Sequence, residues 1–260
     1  MNENSIKYGD LFQLGEHRII CGDARNPEIL KRLIGKEKIK VINCDVPYGI
    51  AVTESKQGFA GSGKHKVIAN DELQSDESYA KFTQEWLEVI KPYLAAKNSC
   101  YIFNSDKMIF ALREGMLMAG FKFSQLLIWV KSHAVVGRLN YLPQHELIAF
   151  GWYGTHEFRK SQDKSVLFYP RPSKSKFHPT MKPVPLLRNL ILNSSRIGDI
   201  IYDGFLGSGS CIIAAENVKR RCYGIELDPE YCQKIIDRFE KAFGVKAIKI
   251  EKGGCDDRDK

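Results

Sequence analysis

Two short segments, far apart in the chain, carry residues whose types and spacing could do chemistry. Asp45-Val46-Pro47-Tyr48 puts a carboxylate, a backbone carbonyl and an aromatic face within four residues. An exocyclic amine on a heteroaromatic ring is a poor nucleophile, because its lone pair is spread into the ring. Two acceptors on its hydrogens, the Asp45 carboxylate and the Val46 carbonyl, would draw that nitrogen toward a tetrahedral shape. Pro47 lacks an N–H and fixes its own φ, which stiffens the turn. Tyr48 offers a face on which a base taken out of a duplex can stack. This chemistry asks the protein for alignment and electrostatics, and needs no metal.

The second segment is Asp203-Gly204-Phe205-Leu206-Gly207-Ser208-Gly209-Ser210, which follows the apolar run Asp199 to Tyr202. Its glycines let the backbone turn tightly and let a ligand approach it. The amides of the helix that follows would point at that ligand. The spacing is not G-x-G-x-x-G, and no Gly-Lys-Ser/Thr follows, which weakens the dinucleotide and phosphate-loop readings. The next run, Cys222 to Ile225, ends at Glu226-Leu227-Asp228. Parallel strands of an open sheet end on one edge, so Glu226 is expected near Asp203, placed to accept from two ribose hydroxyls. The plain structural alternatives are an ordinary Asp-x-Pro turn and a glycine turn with a helix-capping acid.

The elements that must position these residues alternate along the chain, which predicts an α/β sheet protein. Seven apolar runs read as strands: His17–Cys21, Lys40–Cys44, Cys100–Phe103, Leu126–Val130, Glu146–Phe150, Asp199–Tyr202 and Cys222–Ile225. Helical periodicity covers Glu77–Leu94, with Pro92 perturbing its last turn, and Ser105–Ala119, which stops at Gly120. Further helices are expected over Pro185–Ser195, Cys211–Lys219 and Glu230–Phe243, the last capped by Asp228-Pro229. Thr53–Ala69 and Tyr153–His178 read as loops. No internal repeat or linker appears. The chain is expected to form one domain over residues 1–250, with a frayed tail over 251–260.

The 260 residues are 43% hydrophobic and 27% charged, an ordinary balance for a globular protein. No continuous apolar stretch is long enough to span a membrane, and the polar N-terminus lacks a signal-type segment. The seven cysteines include no C-x-x-C pair. They read as reduced core thiols, which predicts cytoplasmic placement, and their spacing argues against a zinc site. The net charge is +8. Arg159 to Lys182 holds seven Lys/Arg and one acid, Asp163, which suits a polyanionic partner.

The ordered set of motifs resembles the DNA amino-methyltransferases, the S-adenosylmethionine-dependent enzymes that modify N6 of adenine or N4 of cytosine. Their catalytic motif, Asp/Asn/Ser-Pro-Pro-Tyr/Phe, is similar to Asp45-Val46-Pro47-Tyr48. Their cofactor motif resembles Asp203-Gly204-Phe205-Leu206-Gly207-Ser208-Gly209-Ser210. The catalytic motif comes first and the cofactor motif last, the circularly permuted order of the β group. His178-Pro179-Thr180-Met181-Lys182-Pro183 looks like the segment that leads into a helix flanking the cofactor. Cys21-Gly22-Asp23 resembles the segment at the cofactor's adenine end, and Gln144-His145-Glu146 resembles a late-sheet segment. The match runs from about Gly15 to Phe243.

The resemblance implies a seven-stranded, mostly parallel, Rossmann-like sheet with helices on both faces and an antiparallel last strand pair. It implies catalytic roles for Asp45, Val46, Pro47 and Tyr48. It implies S-adenosylmethionine held by Asp23, Asp203, Phe205, Gly207, Ser208, Gly209, Ser210, Glu226 and Asp228, with His178, Thr180 and Lys182. Asp at the first catalytic position leans toward adenine N6 over cytosine N4, where Ser is commoner. Val46 departs from the family's first proline. A carbonyl carries the role there and Val has one, but a looser turn predicts a lower rate. The alternatives are a cytosine-N4 enzyme and a catalytically weakened DNA-binding member of the fold.

In this family the segment before H-P-T-x-K-P usually reads sequence. Here that insert, about residues 153–177, is short. Arg159, Lys160, Lys164, Arg171, Lys174 and Lys176 suit phosphates more than base edges, which predicts short or weak recognition. Arg138 and Asn140, beside Tyr141, are alternative base readers. Lys56, Lys64 and Lys66 follow the catalytic turn and could grip the target strand, with Phe59 near the flipped base. The expected partner is DNA. A homodimer is compatible with the sequence, and nothing in it names a restriction partner.

Overall fold

The computed structural model describes residues 5–49, 74–134, 140–159, 162–171 and 181–251. Among these residues ten strands form one mixed sheet. They are β1 (Leu11–Leu14), β2 (His17–Cys21), β3 (Ile39–Asp45), β4 (Leu94–Asn104), β5 (Phe121–Val130), β6 (His145–Tyr153), β7 (Val166–Phe168), β8 (Ile200–Asp203), β9 (Arg221–Glu226) and β10 (Ile248–Ile250). Their order is β10-β1-β2-β9-β8-β3-β4-β6-β5-β7. The run β2-β9-β8-β3-β4 is parallel throughout. β6 is antiparallel to both β4 and β5, and β7 runs parallel to β5. The C-terminal ends of β2, β3, β4, β5, β7, β8 and β9 therefore share one edge with the start of β6.

All seven expected strands lie within or overlap observed ones. The strand count is corrected to ten among the described residues, because β1, β7 and β10 add to the two flanks of the sheet. β7 arises inside the segment read as a loop over Tyr153–His178. Three residues suffice there because Ile128–Val130 of β5 supply the pairing partners.

Helices cover both faces. On one face pack α1 (Pro27–Ile34), α2 (Asp76–Ile90) and α3 (Ile109–Met118). On the other pack α4 (Val184–Ser194), α5 (Ser210–Asn217) and α6 (Pro229–Phe243). Alternation along the central strands feeds the two layers: Ile200 and Tyr202 face the first, Ile201 the second. α2 gives way to a 3₁₀ turn over Lys91–Tyr93, where Pro92 removes a helix donor. Asp228 caps α6 by accepting from the Glu230 N–H at 2.9 Å. α1, absent from the sequence reading, has its own punctuation. Asn26 accepts from the Glu28 N–H, Pro27 opens the helix and Gly35 follows its last residue. Among the described residues, no helix is long and apolar enough to cross a membrane. All six cysteines within the described residues are free and buried.

Candidate active site

The two motifs meet at the shared strand edge. Asp45 is the last residue of β3 and Asp203 the last of β8, and these strands are hydrogen-bonded neighbours. The Gly204 N–H donates to Cys44 Sγ at 3.3 Å, so the residues flanking the two acids touch. On the far side of β8, β9 delivers Glu226 to the same edge. One strand further, Cys21 pairs with Glu226 and brings Asp23 alongside.

The catalytic turn is held from below. The Tyr79 hydroxyl donates to the Pro47 carbonyl at 2.8 Å and accepts from the Asn104 side chain at 2.8 Å. Val46 is buried within the first apolar layer. Its side chain anchors the turn by packing, where a proline would stiffen it by ring closure.

The side chains around Asp45 form one ionic network. Lys182 Nζ donates to Asp45 Oδ2 at 2.6 Å and lies 3.2 Å from Glu146 Oε2. The Tyr48 hydroxyl reaches Asp45 Oδ1 at 3.1 Å and Glu146 Oε2 at 2.9 Å. Lys131 Nζ sits 2.8 Å from Glu146 Oε1. Burial raises the Asp45 carboxyl above its ordinary value, and Lys182 offsets part of that rise. Burial also opposes charge on Glu146, but Lys182 and Lys131 outweigh it and hold this acid at about 2. Burial opposes charge on Lys182 as well, yet Asp45 and Glu146 keep it protonated above the ordinary lysine range. The Tyr48 phenol is pushed well up by burial and by both acids, so it acts as a donor.

The cofactor turn is equally defined. Gly207 and Gly209 take φ of 51° and 73°, conformations that side chains rarely adopt. Glu226 accepts from the Gly207 N–H at 2.8 Å and from the Asp228 N–H at 2.9 Å. The Ser208 carbonyl accepts from Arg238 at 2.6 Å. Phe205 lies against Trp86 in an edge contact with ring centroids 5.6 Å apart. Asp203 accepts from the Phe205 N–H at 3.0 Å. Burial lifts Asp203 to about 7 and Glu226 to about 7, backbone donors offsetting only part of the rise. Two carboxyls beside one glycine turn, both reluctant to ionise alone, suit a ligand that brings hydroxyls and positive charge.

Several expected site residues have partners the sequence did not suggest. Lys182, grouped with the cofactor residues, instead has its ammonium on Asp45 and Glu146. Asp23 is gripped by Arg25, which donates from its backbone at 2.8 Å and from its guanidinium at 3.1 and 2.8 Å. Burial opposes the Asp23 charge, but this fork outweighs it and lowers the acid below the usual range. Asp228 is engaged as a helix cap, and Ser208 and Ser210 share a hydroxyl bond at 3.0 Å.

The basic segment is divided between two edges. Arg159 is assigned away from the site. Its guanidinium bonds Glu157 at 3.1 Å, an acid also held by Lys40 near the start of β3 and by Arg196. That is the edge opposite Asp45, so Arg159 cannot clamp a phosphate beside the catalytic turn. Lys164 is exposed just before β7, and Arg171 is exposed beyond its C-terminal end, on the catalytic side. Asn140 and Tyr141, in the connection from β5 to β6, are also exposed on that side. Lys56, Lys64, Lys66, Arg138, Lys160, Lys174, Lys176, His178 and Thr180 lie outside the described residues, as does Phe59.

Glu146 and Lys131 are the functional candidates that sequence reasoning did not assign a role. Each is a charge at the end of an apolar strand, which is the available signal.

Comparison with known proteins agrees with this arrangement. A family model for N6 and N4 methyltransferases, described as DNA methylase, matches residues 39–237. The chain is 25% identical to the type II methyltransferase M2.DpnII of Streptococcus pneumoniae, over 92% of this chain and 98% of the relative. It is 26% identical to the type II methyltransferase M.HpaI of Haemophilus parainfluenzae, over 88% and 76%. The crystal structure of an M1.HpyAVI–SAM complex superposes with a TM-score of 0.62 at 24% identity, covering 85% of this chain and 98% of the other. The cytosine-N4-specific PvuII DNA methyltransferase superposes with a TM-score of 0.70 at 15% identity, covering 90% of each chain. These two likenesses speak to the fold alone. The family match spans most of the chain and contains both motifs, so the chain belongs to the N6/N4 DNA methylase family.

Proposed function

We propose that this protein transfers a methyl group from S-adenosylmethionine to N6 of adenine in DNA, with short or weak sequence specificity. The observation that carries the reading is the meeting of Asp45 with the Asp203–Ser210 turn and Glu226 at one sheet edge. Asp at the first catalytic position supports adenine over cytosine.

S-adenosylmethionine, when bound, supplies a methyl group already activated by its sulfonium. Its positive charge and ribose hydroxyls fit Asp203 and Glu226, whose ionisation burial alone opposes. Phe205, Gly207, Ser208, Gly209 and Ser210 would line it, with Asp23 and Asp228 at the flank. Asp45 holds one amine hydrogen and the Val46 carbonyl the other, which turns the lone pair out of ring conjugation. Tyr48 stacks the base. These residues would hold the amine nitrogen facing the methyl carbon, and the bound cofactor would supply that methyl group, its sulfur keeping the electron pair of the carbon–sulfur bond. The methylated amine then sheds one proton. That cation is strongly acidic, so no high-pKa base is required. Asp45, 28% exposed, offers a path to solvent.

Arg171 and Lys164, with Asn140 and Tyr141, would contact DNA. Part of the short segment between β6 and α4 is committed to β7 and to Asp163, whose carboxylate holds Asn189 and Asn193 of α4. Few residues are left to read bases, which supports short or weak recognition.

The test is transfer of labelled methyl to DNA, followed by hydrolysis and identification of the modified base. Label on adenine N6 is expected; label on cytosine N4 overturns the base assignment. Asp45→Ala is expected to lower transfer by about a thousandfold or more, while cofactor affinity changes by less than about threefold. Methylation mapping that returned one long, well-defined site would refute weak recognition.

A further inference from the structure

We infer that Glu146 is a positioning residue for the transfer step, anchoring the Tyr48 hydroxyl and the Lys182 ammonium so that Asp45 keeps one oxygen, Oδ1, for the target amine. The inference rests on the methyl-transfer reading above and adds a residue to it.

Asp45 has two carboxylate oxygens. Lys182 takes Oδ2 at 2.6 Å. The Tyr48 hydroxyl lies 3.1 Å from Oδ1 and 2.9 Å from Glu146 Oε2. A hydroxyl has one proton and donates fully to one acceptor at a time. With Glu146 ionised, that proton has a second charged acceptor at the shorter distance, and charge-assisted bonds are the stronger ones. Oδ1 is thereby released. Without the Glu146 charge, Asp45 is the only carboxylate the Tyr48 hydroxyl can reach in this network, and the oxygen meant for the amine is covered.

Charge counting leads to the same residue. Asp45, Glu146, Lys131 and Lys182 come from the end of β3, the start of β6, the residue after β5 and the approach to α4. Their formal charges sum to zero. The two lysines are 7% and 6% exposed at their side chains, where an unbalanced charge is costly. Of the two acids Lys131 bonds Glu146, at 2.8 Å, so its place in the quartet is to hold and balance Glu146. Lys182 spans both acids and transmits the position of Glu146 to Asp45.

A positional role and mere neutrality are separable. Glu146→Gln keeps shape and a neutral acceptor but removes the charge. The double variant Glu146→Gln/Lys131→Met removes one charge of each sign and restores neutrality. Single-turnover methyl transfer, cofactor affinity, melting temperature and the fluorescence of 2-aminopurine at the target position are measured for each. For Glu146→Gln the transfer rate is expected to fall by about tenfold or more, with cofactor affinity within about threefold of wild type. The double variant is expected to melt within about 2 °C of wild type yet keep the rate loss. The 2-aminopurine signal should match wild type in both, because the base still leaves the stack. In a Tyr48→Phe background, which removes the competing proton, the Glu146→Gln loss should shrink by about threefold or more.

A wild-type rate in Glu146→Gln, or full recovery in the double variant, overturns the inference; so does a loss confined to cofactor binding. Should the single variant fail to fold, the neutral double variant carries the test. Failure of the methyl-transfer reading looks different: the wild-type protein itself would label no DNA base.

Discussion

Raising the pH should destabilise the ligand-free protein, and Asp203 should carry a large part of the loss. Asp203 is 4% exposed. Burial raises it from 3.8 to about 7, the Phe205 N–H recovers part, and the nearby Asp45 and Glu226 add to the rise. The sign follows from proton counts. Between the unfolded and folded values, the native state holds a proton that the unfolded chain has released. Stability conferred by Asp203 is therefore complete below pH about 4, declines through the window and is gone above about 7. At about 1.4 kcal/mol per unit, three units give about 4 kcal/mol overall, and the stretch from pH 5 to 7 gives about 2–3 kcal/mol. For a domain of this size that is about 5–10 °C in melting temperature. Thermal melts of wild type and Asp203→Asn, at matched ionic strength from pH 5 to 8, read it directly. Asn can still accept from the Phe205 N–H but cannot ionise. The variant should gain on wild type by that amount across the window. His17, depressed by burial, changes stability in the opposite direction but is common to both proteins and cancels. Glu226, also near 7, falls in the same window and is likewise present in both. Saturating S-adenosylmethionine should flatten the wild-type decline, because a cationic ligand favours the ionised pair. A difference between the two proteins that stays constant with pH would refute the burial argument for this site.

Gly209→Ala should weaken cofactor affinity by about tenfold, because a side chain at φ 73° is strained by about 1–2 kcal/mol, and its Cβ would also lie 2.9 Å from Ile235; calorimetric titration checks this. Gly115→Ala should cost about 3 kcal/mol in denaturant unfolding, since its Cβ would press on the Ala80 carbonyl and lie 2.5 Å from Thr83 Cβ where α3 crosses α2. Arg171→Ala should reduce the slope of DNA affinity against salt by about one counterion, and Arg159→Ala should leave it unchanged; equal effects from the two would contradict the division of the basic segment between opposite edges.

The parts of the fold legible in the sequence were those whose signal is local. β3 and β8 are apolar runs that end in an acid and a turn, and both appear where the pattern puts them. Pro92 ends α2 for the stated reason. The missed strands are three or four residues long: Leu11–Leu14, Val166–Phe168 and Ile248–Ile250. A period of two cannot be recognised in three residues. Such strands exist because a neighbour offers a ladder of backbone partners, and two of those neighbours are distant in sequence: Val166 pairs with Ile128 of the ten-residue β5, and Ile250 with Leu11. α1 was missed for another reason. Its Asn26-Pro27 start and Gly35 end are local signals, but unlike α5, which is also eight residues long, it follows no glycine-rich turn that marks a helix start.

The site divides along the same line. The carbon-and-backbone scaffold of the two motifs is a property of short segments, and it could be read as such. The charges that act on Asp45 are a property of strand direction. Glu146 opens β6, which runs against β4 and β5, with Glu146 opposite Trp129 and Leu147 opposite Asn104. The start of an antiparallel strand lies at the edge where parallel strands end, so this acid arrives beside Asp45 from a hundred residues away. Nothing local to Gln144-His145-Glu146 encodes that reversal. The basic segment shows the converse error. Arg159 and Arg171 lie in one run of positive charge, and a linear count treats them as one surface. The chain between them passes from the Glu157 side to the catalytic edge, where β7 pairs with Ile128–Val130 at the end of β5. One end is bound to Glu157 beside the start of β3, and the other lies beyond β7, at the edge that carries the end of β3 but four strands away in the sheet. Charge density along a chain becomes one binding surface only when the charged residues end on one edge, and Arg159 and Arg171 do not.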